Sequence, residues 1–400
     1  MRLIPTDRLN ANVVLRNGTN QGDKMRRLLL SLSILLLASL ACNGGGVPPP
    51  PEDSIFDSGK TAYGFFPSPP EATLDSIFQL YKDMDQHADF VLIQQNTAWE
   101  DFVGGTESES QTKTDLINQV KLANQNHLEY IFVIDALNGL NRREFIGLPA
   151  GWEASFANPD VRSAYRNYAL WVARTFHPRY LGLASEINTY MDAHPDDAGN
   201  FISLYNEMYA LVKAEAPDTQ IFVTFQWDDL NNMFPQPEEG NRQRLSPNWE
   251  QIEAFEPNLD LWVISTYPYF VFPSASDIPA DYYTPLLSRT LRQAQGGAGK
   301  PLAIAESGFS SQPVGFAQGS PEDQVIFLNA VHDQLGPRLA FWVNTTLTDF
   351  NMDSYATEMA KQGRDPKDAE GLSNFAFIGF LNPDRSPKPA MEAWDRFRNP

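Results

Sequence analysis

Four scarcities bound this chain of 400 residues before any motif is read. Cysteine is nearly absent: Cys42 stands alone, so no disulfide forms within one chain and stability must come from packing. Histidine occurs only at positions 87, 127, 177, 194 and 332, without paired metal-ligand spacing, so no metal is implied. His194 beside Asp192, Asp196 and Asp197 reads as a solvated helix start. Basic side chains are outnumbered, 30 Lys and Arg against 50 Asp and Glu, for a formal charge of −20. A body that acidic repels nucleic acid and anionic lipid, and suits a neutral or cationic ligand. Long apolar runs are missing except from Leu28 to Leu40, which is too short to span a bilayer. There is no Gly-x-Ser-x-Gly elbow, phosphate-binding glycine loop or dinucleotide fingerprint, so no cofactor is implied.

That one apolar run has a context. Met25-Arg26-Arg27 precedes it, and small residues and Cys42 follow. The arrangement resembles a bacterial lipoprotein signal, in which the cysteine becomes the lipidated first residue. Ser39 stands where such signals usually carry leucine, and an ordinary secretory signal cut near Ala41 is the alternative. The resemblance implies translation from Met25 and a mature protein outside the cytoplasm, held to the cell envelope through Cys42 alone. Residues 43–53, with Gly44 to Gly46 and Pro48 to Pro51, read as a tether that is flexible first and extended after. The expected organisation is an extension and signal over 1–41, a tether over 42–60, and one monomeric domain over 61–398.

Within that domain strand-like and helix-like segments alternate. Strands are predicted at 61–66, 89–95, 129–135, 180–186, 219–226, 259–267, 300–306 and 338–344. Helices are predicted between them at 71–87, 112–127, 158–176, 197–215, 279–295 and 320–335, with a weak one at 247–255 and a last at 388–398. Alternation argues for parallel strands with crossover helices, and eight units match the α/β class with a (β/α)₈ TIM barrel. The long segments 136–157, 227–246, 268–278 and 345–373 all follow strand ends, where a barrel builds its active-site face. They are rich in aromatic and polar residues, a mixture suited to sugar faces and hydroxyls.

Two of the apolar strands end on a carboxylate: Tyr180 to Glu186, and Pro301 to Glu306. An ionised carboxylate inside a parallel sheet is costly unless paired, but at a strand's carboxyl end it points into the mouth. Two carboxylates flanking one cleft are what hydrolysis of a glycosidic bond requires. Around these residues, Ala184-Ser185-Glu186-Ile187-Asn188 and Ala305-Glu306-Ser307-Gly308, with the segment Pro387-Lys388-Pro389-Ala390 near the C-terminus, the chain resembles the retaining glycoside hydrolases built on (β/α)₈ barrels. Ile264-Ser265-Thr266-Tyr267-Pro268-Tyr269 looks most like their endo-β-1,4-galactanase branch. The resemblance implies Glu186 as acid/base after strand four and Glu306 as nucleophile after strand seven, with the charge of Glu306 keeping Glu186 protonated. It departs at Ser185, where the family carries an asparagine that holds the substrate's 2-hydroxyl; Ser185 or Asn188 is expected to take that task.

Further candidates follow from strand ends. Tyr267 is placed to hydrogen-bond the nucleophile, Trp342 to form a platform under the sugar, and Asp135, Gln226 and Trp99 to meet hydroxyls. Arg142 and Arg143 read as neutralisers of local acidity. The expected function is a surface-attached glycosidase acting on a β-linked polysaccharide or oligosaccharide. The competing classes are a lipid-anchored barrel that binds sugar without cleaving it, and a two-lobed solute receptor for a transporter.

Overall fold

The computed structural model describes residues 53–106, 109–233, 247–293, 300–361 and 365–400. Eight parallel staves form one sheet: β1 (Ala62–Phe65), β2 (Phe90–Asn96), β3 (Glu129–Asp135), β4 (Tyr180–Gly182), β5 in two pieces (Gln220–Phe222 and Thr224–Gln226), β6 (Trp262–Thr266), β7 (Leu302–Ser307) and β8 (Leu339–Asn344). Around the sheet the order runs from the first piece of β5 through β4, β3, β2, β1, β8, β7 and β6 to the second piece of β5. The broken fifth strand thus supplies both ends of the sheet, which closes nearly into a barrel. Every pairing is parallel, so both faces need cover, and the strands read as near-continuous buried runs.

The cover comes from helices that follow the strands in turn: α1 (Leu74–His87), α2 (Gln111–Gln125), α3 (Pro159–Phe176), α4 (Pro195–Glu215), α5 (Trp249–Glu253), α6 (Thr284–Gln293), α7 (Pro321–Gln334) and α8 (Pro389–Arg398). In α3 the buried residues Val161, Tyr165, Tyr168, Val172 and Phe176 recur at three- and four-residue spacing, one apolar stripe laid toward the core. Its start is set locally: the Asn158 side chain accepts from Asp160 N at 3.0 Å, and Pro159 stands where no amide donor is needed. Ser320 and Pro321 repeat the device in α7.

Three differences from the predicted elements matter. β4 stops at Gly182 and does not run to 186, because the chain turns there and Glu186 takes a left-handed conformation (φ 50°) that ends strand pairing. The loop after β3 is a β-hairpin, Leu137–Asn138 paired with Asn141–Phe145, and the loop after β8 holds a helix, Met352–Lys361, and a 3₁₀ turn, Pro366–Phe375. The expected tether meets the barrel within its last residues. Phe56 is buried, with ring centroids 5.3 Å from Phe90 and 5.2 Å from Tyr180, the first residues of β2 and β4. Cys42 and the apolar run lie outside the described residues.

Candidate active site

Glu186 and Glu306 meet in the mouth at the carboxyl end of the barrel, both nearly buried. Glu306 is aimed by an irregularity: β6 and β7 pair Ile304 with Ile264 but Glu306 with Ser265, so Ala305 is an extra residue in β7. A bulge of this kind re-aims the next side chain. Glu186 is aimed by its left-handed turn, which Thr224 holds by accepting from Glu186 N at 2.7 Å.

One side chain ties the two carboxylates together. Arg142, delivered by the second strand of the hairpin, donates from Nε to Glu186 Oε2 at 3.0 Å and from Nη2 to Glu306 Oε1 at 3.5 Å. The same Nη2 reaches Ser185 Oγ at 3.2 Å, and Nη1 pairs with the fully buried Asp135. Gln94 also donates to Asp135, at 3.1 Å, so this buried carboxylate has two side-chain partners. The planar guanidinium serves three acids at once, a geometry its fixed fork of donors permits.

The remaining bonds divide the pair. Glu306 Oε1 accepts from Ser185 Oγ at 2.7 Å, and its Oε2 accepts from Tyr267 Oη at 3.0 Å. The Ser265 hydroxyl closes on Glu186 Oε1. Burial is the main force on Glu306 and pushes its carboxyl up to about 7, with the charge of Glu186 adding to the rise. Arg142, Ser185 and Tyr267 oppose it, because they bind the ionised form. The surroundings therefore drive Glu306 toward protonation. Facing carboxyls share such a proton as a pair. Burial and Glu306 hold the Tyr267 phenol well above its ordinary range, so it stays a donor.

The other candidates sort by what they touch. Tyr267 lies against the nucleophile candidate, as expected from sequence. Ser185 is wholly buried and touches Glu306 and Arg142, so its hydroxyl orients these groups. Asn188 is likewise buried: it donates to Gln226 O at 3.2 Å and to Asp229 at 3.1 Å, and accepts from Gln226 N at 2.8 Å. Asn188 therefore clamps the turn after β4 to the end of β5 and is not turned to a ligand. The Gln226 side chain caps the turn after β5, accepting from Asp229 N at 2.6 Å, while lining the mouth. Asp135 lines the mouth as a partner of Arg142.

Two tryptophans are corrected. Trp342 is fully buried against Tyr63 and Trp394, with centroids 6.0 and 5.3 Å away, and its Nε1 donates to Ser307 Oγ at 3.0 Å. Strand side chains alternate, so it belongs to the layer under α8 and offers the mouth no platform. Trp99 is buried among Phe145, Trp152 and Tyr165 and donates to Ile146 O at 2.8 Å, so it packs the hairpin down. The residues missed from sequence are Ser265, Thr224 and Asp228; Arg142, read as a neutraliser of local acidity, does pair with three carboxylates, but its linking of Glu186 to Glu306 was not foreseen. Asp228 is fully buried, accepts from Tyr282 Oη at 2.6 Å and from Tyr267 N at 2.9 Å, and so fixes the backbone of Tyr267. The available signal for Arg142 was its rarity: a basic residue in a strand-end loop of an acid-rich chain. Among the described residues no cluster of three or more His, Cys, Asp or Glu is placed to hold a metal ion.

No protein-family model matches the chain, and no curated protein matches it. Its fold is shared with solved glycoside hydrolases. An exo-β-1,4-mannosidase from Opitutaceae bacterium strain TAV5 is 13% identical, with a TM-score of 0.58 over 84% of this chain and 59% of its own. The GH5_18 protein of Streptomyces cattleya, in complex with Manβ1-4GlcNAc, is 16% identical with a TM-score of 0.58 over 84% of this chain and 79% of its own. A family 39 glycoside hydrolase from Bacteroides cellulosilyticus is 14% identical, with a TM-score of 0.52 over 86% of this chain and 64% of its own. The chain thus spans less than two thirds of the length of the first and third of these. At such identities the likeness establishes the barrel, a fold of glycosidases, and nothing about the substrate.

Proposed function

We propose that the protein is a retaining glycoside hydrolase acting on a β-linked polysaccharide or oligosaccharide. The observation that carries this reading is the placement of Glu186, in the turn that follows β4, and Glu306, near the end of β7, within reach of one guanidinium. Retention needs the two carboxyl groups about 5–5.5 Å apart, a spacing compatible with one guanidinium contacting both. In the first step ionised Glu306 attacks the anomeric carbon, the glycosidic bond breaks, and Glu186 gives its proton to the leaving oxygen. In the second, Glu186 takes a proton from water, whose oxygen displaces Glu306 from the glycosyl ester and restores the enzyme. Tyr267 and Ser185 hold Glu306 for the attack. For the first step Glu186 must arrive protonated and released from Arg142 Nε, so substrate binding is coupled to a shift of that bond.

The pairing of Arg142 with both glutamates favours one second reading, a barrel that binds sugar without cleaving it. The receptor alternative needs two lobes, and the described residues form one barrel. Reducing-sugar release from a panel of β-linked polysaccharides, with mass spectrometry of Glu186→Gln on an activated aryl glycoside, separates the two that remain. The hydrolase reading expects release by wild type, a trapped glycosyl-enzyme in Glu186→Gln and no turnover in Glu306→Gln. Oligosaccharide binding with no release by wild type on any substrate overturns it. Attachment to the envelope through Cys42 belongs to the same proposal, supported by the apolar run and the tether that flank that cysteine.

A further inference from the structure

The mouth is crossed by a bridge. Leu140, at the tip of the hairpin after β3, rests on Gly371 in the 3₁₀ turn after β8. A β-carbon at Gly371 would lie 2.6 Å from Leu140 Cδ1, so the leucine side chain sits directly against the glycine backbone. Around the barrel β3 and β8 are separated by β2 and β1, so the contact spans the opening on that side.

The bridge divides the space into two compartments. One, of about 220 Å³, lies toward β1 and β2 and is lined by Phe66, Gln95, Asn96, Thr346 and Glu306. The other, of about 360 Å³, lies toward β4 to β6 and is lined by both Glu186 and Glu306. The first is smaller than the roughly 300–1,000 Å³ of pockets that hold drug-sized ligands. It has room for one sugar ring. The only cation on its described lining is Arg142, whose donors already serve Asp135, Glu186 and Glu306.

Resting on the hydrolase reading, we propose that the protein removes single neutral sugars from the non-reducing ends of β-linked chains. The terminal ring sits in the compartment toward β1 and β2, its anomeric carbon at Glu306, and the rest of the chain leaves past Glu186 toward β4 to β6. A chain lying across the mouth would have to pass through the Leu140–Gly371 contact. A uronic acid in the terminal compartment would face Asp135 and Glu306 with no spare cation to meet it.

Hexasaccharides of β-1,4-mannan, β-1,4-galactan and β-1,4-glucan, labelled at the reducing end, test this in a time course. Monosaccharide appearing first, with the label stepping from six sugars to five to four, supports the proposal. Labelled trimers in the earliest samples overturn it. Leu140→Gly, which opens the bridge, should release such trimers and thereby support it. If wild type cleaves no hexasaccharide, that result bears on the hydrolase reading, which the polysaccharide panel decides, and binding decides this one. Calorimetry of Glu306→Gln with the same hexasaccharides, free or methylated at the terminal 4-hydroxyl, should show at least about tenfold weaker binding of the capped chain. Equal binding of capped and free chains overturns the closed compartment.

Discussion

At the scale of single residues the site is an electrostatic compromise centred on Arg142. Its charge offsets three buried carboxylates, and removing one member of such a cluster leaves the rest buried without compensation. Arg142→Gln should lower unfolding stability by about 3–5 kcal/mol, measured by denaturant titration. It should also move the acid limb of kcat/KM upward by about 1–2 pH units, since the guanidinium opposes protonation of Glu306. An unmoved limb would remove Arg142 from control of Glu306. Ser185 carries a revised expectation. From sequence alone, asparagine at 185 restores a missing contact to the substrate. In the structure Ser185 is wholly buried between Glu306 and Arg142, and a larger side chain must displace one of them. Ser185→Asn should therefore cost about 1–3 kcal/mol by overpacking and lower kcat. A faster enzyme would restore the sequence-based view.

At the scale of elements the long loop after β8 is held from behind by one ion pair. Lys388, just before α8, donates to both oxygens of Asp349 at 2.7 and 2.6 Å, to Ser311 Oγ at 2.8 Å and to Gly379 O at 2.9 Å, and is itself buried. The loop between Asp349 and Lys388 carries Gly371 and Phe375, which line the mouth. Lys388→Met leaves Asp349 uncompensated and should cost about 3–5 kcal/mol. It should also raise KM on oligosaccharides, because the half of the bridge that Gly371 supplies loses its anchor. A large stability loss with unchanged KM would show that the loop is held by its own packing. The Pro-Lys-Pro-Ala stretch was legible in the sequence as a recurrent feature, but its task was not, since Asp349 lies 39 positions away.

At the scale of the whole molecule the acid-rich composition acts on pH dependence. Burial raises Glu306 to about 7 and Asp115, Asp229 and Asp349 to about 6, and it also raises Asp135 and Asp228. A carboxyl raised on folding binds more protons folded than unfolded between its two values, so it destabilises above the higher one. Lowering pH from about 8 through 7 toward 5 should therefore raise the melting temperature, and reduced self-repulsion of a chain at −20 acts the same way. Below about 4 the trend should reverse, as Asp197, Asp323 and Glu207, which folding lowers, take up protons. Scanning calorimetry across pH 3–9 checks this, and a melting temperature that climbs steadily with pH up to 8 would contradict it. Cellular attachment is tested on the same scale: Cys42→Ala should move the protein from the membrane to the soluble envelope or medium fraction. Retention with the membrane would place the anchor elsewhere.

By itself the sequence determined the architecture and the acids. Strand and helix periods are local, so eight alternating units, and a glutamate at the end of each of two apolar runs, are visible without any contact map. Tyr267 was legible for the same reason, as the last residue of a strand that must neighbour β7. What only the tertiary structure decided is the company those acids keep. Trp342 and Trp99 look like cleft aromatics from their strand-end positions, but the alternation of faces and the packing of α8 and the hairpin bury them. Arg142 looks like a loop charge until a hairpin folds it back onto β3, β4 and β7, and the Leu140–Gly371 contact joins loops 231 positions apart. Such contacts depend on how loops return across the mouth, a long-range geometry that no local pattern encodes.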